Sequence, residues 1–143
     1  MTSERGAAIV RAGEATQKEM LWNRGIKHRL AGAEDSGAFD FHINEIIVGS
    51  GPGPYHYHEQ AESSYYVLDG EIEAVVEGVR HILHVGDSAY FPPRLLHSLG
   101  NAGRQPARVV EVYAPAGYDF HVVPDPLDVV DADPSPSPMP ARS

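Results

Sequence analysis

His56, His58 and His97 are the side chains in this sequence best suited to hold a cation. His56 and His58 stand two apart in a segment that reads as extended, and side chains at i and i+2 leave a strand on the same face, so both imidazoles can reach one ion. Tyr55 and Tyr57 alternate onto the other face. The preceding run Gly49-Ser50-Gly51-Pro52-Gly53-Pro54 is rich in turn formers and starts this strand abruptly. One His-x-His pair is weak grounds for a site, because close histidines arise often by chance on surfaces. A second element is required, and Gly86 to Asn101, reading GDSAYFPPRLLHSLGN, supplies it: a turn, a short strand, a Pro-Pro break, then His97 and a turn-forming Asn101.

The elements that must position these histidines read as strands. Between Ala38 and Tyr113, short β-branched and aromatic runs are punctuated by Gly, Pro and Asn. Strands are predicted at 39–48, 55–58, 64–68, 71–77, 79–83, 88–91 and 108–113. Asp69-Gly70 is a strong hairpin signal, and Glu77-Gly78 and Gly86-Asp87 are further turns. Met20 to Leu30 reads as an edge strand. The organisation expected is an N-terminal segment with edge strands over 1–35, a barrel over 36–121, and a disordered Pro-rich acidic tail over 122–143, where proline alternates with Asp and Ser and little apolar surface offsets chain ordering.

Both histidine elements resemble the cupin superfamily. Its second motif, G-x5-P-x-G-x2-H-x3-N, is matched by Gly86, Pro92, His97 and Asn101 at every spacing, with Arg94 where the pattern has Gly. Its first, G-x5-H-x-H-x3,4-E-x6-G, is matched at His56, His58 and Gly70, with Ser50 at the leading glycine, and YYVLDGE from Tyr65 to Glu71 is similar to the family's usual run. Glu62 has the correct spacing from His58 but stands one residue too far from Gly70, whereas Ser63 suits Gly70. Two readings follow. Without a bulge Ser63 points inward and three histidines hold the metal; with a bulge between Glu62 and Ser64 the carboxylate turns inward as a fourth ligand or general base.

The resemblance implies an all-β fold, a double-stranded β-helix of two antiparallel sheets, with a divalent transition metal (Fe, Mn, Ni, Cu or Zn) held inside one end. It implies a metal-dependent enzyme acting on a small oxygenated molecule, a dioxygenase similar to quercetin-type cupins. A non-redox isomerase, lyase or polyketide-type cyclase, and a non-catalytic binding module, are the alternatives. Metal ligands are then His56, His58, His97 and Glu62, with Glu62 and Tyr65 as catalytic candidates, Tyr65 through a phenol able to orient an oxygen-bearing substrate. Arg94 can meet an anionic substrate or reach water. His81, His84 and His121 are expected in solvent, and Trp22 in the core or a dimer interface. His42 shares a face with Asn44, Ile46 and Val48 and is expected to point outward, with Phe41, Ile43 and Ile47 inside.

Composition narrows the rest. The absence of cysteine excludes disulfides, thiolate metal sites, iron–sulfur clusters and a cysteine nucleophile, so any metal must use nitrogen and oxygen. A formal net charge of -9 disfavours phosphate backbones and anionic headgroups. The expected partners are a small-molecule substrate and a second copy of the chain, with no nucleic acid and no membrane. The polar N-terminus makes a cytoplasmic location the expectation.

Overall fold

A computed structural model describes residues 6–32 and 34–132. Thirteen strands run in chain order: β1 (Thr16–Glu19), β2 (Gly25–Ala31), β3 (Asp40–Ile46), β4 (Gly51–Pro52), β5 (His56–Tyr57), β6 (Glu62–Asp69), β7 (Ile72–Val76), β8 (Val79–Leu83), β9 (Ser88–Phe91), β10 (His97–Asn101), β11 (Ala107–Ala114), β12 (His121–Val122) and β13 (Val130–Asp131), with one 3-10 turn at Leu21–Asn23. They form a six-stranded sheet in the order β1-β2-β3-β11-β6-β9 and a seven-stranded sheet in the order β12-β5-β10-β7-β8-β13, with β4 on β10. Every pairing among the described residues is antiparallel except β13 on β8. The all-β expectation holds.

Alternation of burial shows which faces meet. Along β6, Ser63, Tyr65 and Val67 are buried between exposed or half-buried neighbours, and along β11 the buried set is Ala107, Val109, Glu111 and Tyr113. Of these residues of the first sheet, Tyr65, Val67, Ala107 and Val109 meet Ile72, Ala74 and Leu99 of the second in one core, which Ile46 and Phe91 complete. Burying such side chains contributes roughly 1.5–3 kcal/mol each, and the apolar rows lie towards one end of the barrel. Towards the other end the interior changes character: Glu111 pairs in register with His42 and Tyr65, and Tyr113 with Asp40 and Ser63.

Turn chemistry fixes the hairpins. Glu77 and Gly78 both have positive φ, 48° and 80°, as a two-residue primed turn between β7 and β8 requires. Arg94, in the position where the second cupin motif has Gly, adopts φ 68°. The glycine preference there is a backbone requirement that this chain meets with a strained arginine.

Four expectations change. His42 is 3 % exposed and Ile47 50 % exposed, so the inner face of β3 carries Asp40, His42, Asn44 and Ile46 instead of Phe41, Ile43 and Ile47. The more apolar parity lost because this half of the interior is polar. Of the two places expected for Trp22, its 63 % exposure removes the core. The span 20–30 holds a 3-10 turn before β2, and β1 lies upstream. Of the segment read as a disordered tail, Val122 and Val130–Asp131 join the second sheet; 133–143, with most of its prolines, lies outside the described residues.

Candidate metal centre

Two strand segments bring the histidines together. His56 starts β5, His97 starts β10, and the two are register partners in adjacent strands. His58 follows β5 on the same face as His56. Their ring centroids lie 4.3 Å (His56–His97), 5.0 Å (His56–His58) and 5.4 Å (His58–His97) apart. One ring nitrogen from each falls within 4.8 Å of the others. All three are buried, at 6, 2 and 1 % exposure.

Hydrogen bonding decides which nitrogen each ring presents. Nδ1 of His56 meets Pro54 O at 2.7 Å, Nδ1 of His97 meets Leu95 O at 2.9 Å, and Nδ1 of His58 meets Asp119 O. A carbonyl oxygen only accepts, so each Nδ1 carries the proton and each Nε2 keeps its lone pair. Nε2 of His58 and of His97 is buried with no protein partner. An orphaned buried acceptor costs about 1–3 kcal/mol, and three converging lone pairs are the donor set of a nitrogen-ligated divalent cation.

The electrostatics agree. Burial, then the neighbouring His97 ring, holds His56 down to about 3; burial holds His97 down to about 4; burial also lowers His58. All three are neutral near pH 7, the form that binds metal. The carboxylate of Glu111 favours positive charge at each of the three.

Glu62 is not part of this cluster. It lies on the exposed face of β6, where its carboxylate accepts a hydrogen bond from Tyr90 Oη at 3.2 Å. β6 runs in register with β11 from Glu62 to Val67 and with β9 from Ser63 to Tyr66, and its irregularity against β11 falls later, between Val67 and Asp69, so no bulge at Glu62 turns the carboxylate inward and Ser63 takes the inner position. Ser63 Oγ is buried without a partner. Arg94 is 71 % exposed at the side chain, 3.9 Å from Glu59. His121 lies in the exposed strand β12.

Tyr65 is inside, 3 % exposed, its hydroxyl 3.1 Å from that of Tyr113, and the Tyr113 ring meets His58 edge-on at 4.9 Å. Both phenols are held well above their ordinary value by burial and then by Glu111, so they are protonated donors. Glu111 itself was not singled out from sequence. One of its carboxylate oxygens lies 3.2 Å from Lys27 Nζ and 3.3 Å from His42 Nδ1. Burial alone would raise this carboxyl, but Lys27 and then His42 outweigh it and hold it below the usual carboxylate range. The available signal was parity: Glu111 shares the inner face of β11 with Ala107, Val109 and Tyr113, an ionisable group in an otherwise inward-facing row.

A profile of the cupin domain family matches residues 42–113, half of the chain, spanning all three histidines. The chain belongs to the cupin family. It is 29 % identical over 99 residues to quercetin 2,3-dioxygenase of Bacillus subtilis, a match covering 68 % of this chain and 28 % of that protein. The chain spans less than half the length of the curated relatives it matches. Among solved structures, the polyketide cyclase RemF from Streptomyces resistomycificus superposes with TM-score 0.71 at 21 % identity, covering 86 % of this cupin and 89 % of that chain. A double-stranded β-helix protein from Klebsiella pneumoniae superposes with TM-score 0.67 at 22 % identity, covering 85 and 96 %. These likenesses establish the double-stranded β-helix as the fold.

Proposed function

We propose that this cupin is a metal-dependent enzyme acting on a small oxygenated organic molecule, with dioxygenation as the leading reaction. One observation carries the reading: His56, His58 and His97 each spend Nδ1 on a backbone carbonyl, leaving their Nε2 atoms for a common cation. A transition metal on three imidazoles keeps open positions and supplies Lewis acidity and, for a redox-active ion, dioxygen activation. The similarity to quercetin 2,3-dioxygenase supports the oxidative version.

The polar face opposite the histidines would handle the substrate. Tyr65 and Tyr113 are protonated and donate hydrogen bonds to a substrate oxygen. Glu111 stays ionised between Lys27 and His42 and orients the two phenols from behind. Ser63 Oγ and Asn44 Oδ1, both buried without partners, are further polar contacts for a bound molecule.

A second reading, non-redox isomerisation, elimination or cyclisation, draws on the same polar groups: two protonated phenols held by Glu111 can donate to the oxyanion of an enolate without an oxidant. The two separate on one set of measurements. Metal content by plasma mass spectrometry, with oxygen uptake using quercetin as probe, should give near-stoichiometric Fe, Mn, Ni or Cu and oxygen consumption for the leading reading. The His97→Ala variant should lose the metal while Glu62→Gln retains it. Zinc with no oxygen uptake moves the assignment to the non-redox class, and no metal in the unsubstituted protein overturns both.

A further inference from the structure

The matched cupin domain ends at Tyr113, yet the chain returns to the metal centre after it. His58 donates its Nδ1 proton to the carbonyl of Asp119. The Phe120 ring stacks on His56 at 4.1 Å and 18°. β12 adds to the free edge of β5 through His121 opposite Tyr57 and Val122 opposite His56, and Val123 N donates to Tyr55 O at 2.9 Å. The Asp119 carboxylate ties this strap down, accepting from the backbone amides of Glu59 and Gln60 and lying 2.7 Å from His121 Nε2.

We infer that the strap 118–122 is part of the metal centre, positioning two of its three ligands. The proposal rests on the three-histidine reading above. Of the three carbonyls that set the ligand tautomers, those of Pro54 and Leu95 lie two residues from the histidines they serve, so local chain geometry maintains them. The carbonyl serving His58 lies 61 residues away. His58 is therefore oriented only while the strap is docked, and the Asp119 side chain, by capturing the two amides that directly follow His58, holds donor strand and acceptor carbonyl in one frame. Groups of this kind, one shell out from the metal, typically change affinity 10–100-fold when removed. Coupling is reciprocal, so metal binding must in turn tighten the strap.

The test uses full-length protein and zinc as probe. Zinc affinity, by competition with a chromophoric chelator, is expected to fall about 10–100-fold in Asp119→Ala and in Phe120→Leu, with Leu127→Ala, fully exposed, unchanged. Hydrogen exchange of the Glu59 and Gln60 amides should slow on zinc addition to the unsubstituted protein. Affinities within twofold of the unsubstituted protein, or exchange that zinc leaves unaltered, would overturn the inference. Imidazole 15N spectra of the metal-free protein give a readout that needs neither zinc nor activity. His58 should carry its proton on Nδ1, and Asp119→Ala should shift it to a tautomer mixture. If zinc fails to bind the unsubstituted protein the three-histidine reading falls, and these spectra alone judge the strap: one unchanged tautomer in both proteins refutes it.

Discussion

Glu111 sets the terms of the barrel interior at the scale of single residues. A carboxylate 3 % exposed is tolerable only with partners, and Lys27 and His42 supply them at 3.2 and 3.3 Å. The Lys27 ammonium is also bonded to Tyr118 Oη at 2.7 Å, so one cation links the carboxylate to the strap. Removing one member leaves the other charge buried and alone. Glu111→Leu is therefore expected to cost about 3–5 kcal/mol in urea unfolding, and Lys27→Met added to it should recover a large part. Two single variants with additive costs would show that the pair is not coupled. This network was only half legible in the sequence. The parity of β11 carries the signal for an inward Glu111, which the sequence reading did not use, and parity on β3 offered an apolar face, Phe41, Ile43 and Ile47, against a mixed one, Asp40, His42, Asn44 and Ile46. Periodicity favours burying the apolar face. What reversed it was the partner across the ladder: His42 is the register neighbour of Glu111, a relation that exists only once the sheet has formed.

At the scale of elements, the His97 strand is held by close backbone approach as well as by its ladder. Gly100 lies where β4 crosses β10, and a Cβ there would fall 2.2 Å from Gly51 O. Backbone cannot yield as a flexible side chain does, so Gly100→Ala should push β4 away and destabilise the fold by about 2 kcal/mol or more. Gly49, at φ 75° with nothing within 4 Å of its absent Cβ, is the comparison: Gly49→Ala should cost only about 1 kcal/mol from its backbone conformation. Thermal or urea unfolding of the two variants checks the order, and equal losses would mean the β4 crossing is adaptable. The turns at Glu77-Gly78 and Gly86 and most strand spans followed from sequence, because turn chemistry and alternation are local. β1, β12 and β13 did not: their residues are exposed, so no alternation marks them, and only a free sheet edge makes them strands; nor did β4 and β10, the latter buried at every residue and so equally without alternation.

For the whole molecule, the buried neutral histidines impose an acid limit on the metal-free fold. Unfolded histidines take up protons near pH 6.5, whereas in the fold His56 and His97 do so only at about 3 and about 4, and His58 is lowered in the same direction. Between those limits the unfolded chain binds more protons than the native one, so stability falls as pH drops from about 6.5 and is level above it. Glu111, ionised below the ordinary carboxylate range, adds a loss that begins near 4.5, the usual carboxylate value. Calorimetry of metal-free protein should give a melting temperature at about pH 5 lower by several degrees than at about pH 7.5. His56→Gln with His97→Gln should remove most of the difference above about pH 4.5. A pH-independent melting temperature over that range would show that the three rings protonate in place.

The sequence by itself determined the β architecture, the family, the absence of thiol chemistry and the three imidazoles of the centre, since residue type, turn signals and motif spacing are properties of the chain. It left the place of Glu62 open, because spacing shows one extra residue before Gly70 but not where a bulge absorbs it, and a bulge reverses a side chain; regular pairing around Glu62 and Ser63, with the irregularity later between Val67 and Asp69, puts Ser63 inward. Only the tertiary structure joined Glu111 to Lys27 and His42, and brought the carbonyl of Asp119 to His58 across 61 residues. Backbone carbonyls occur at every residue, so no composition, periodicity or motif could mark which one would orient a ligand.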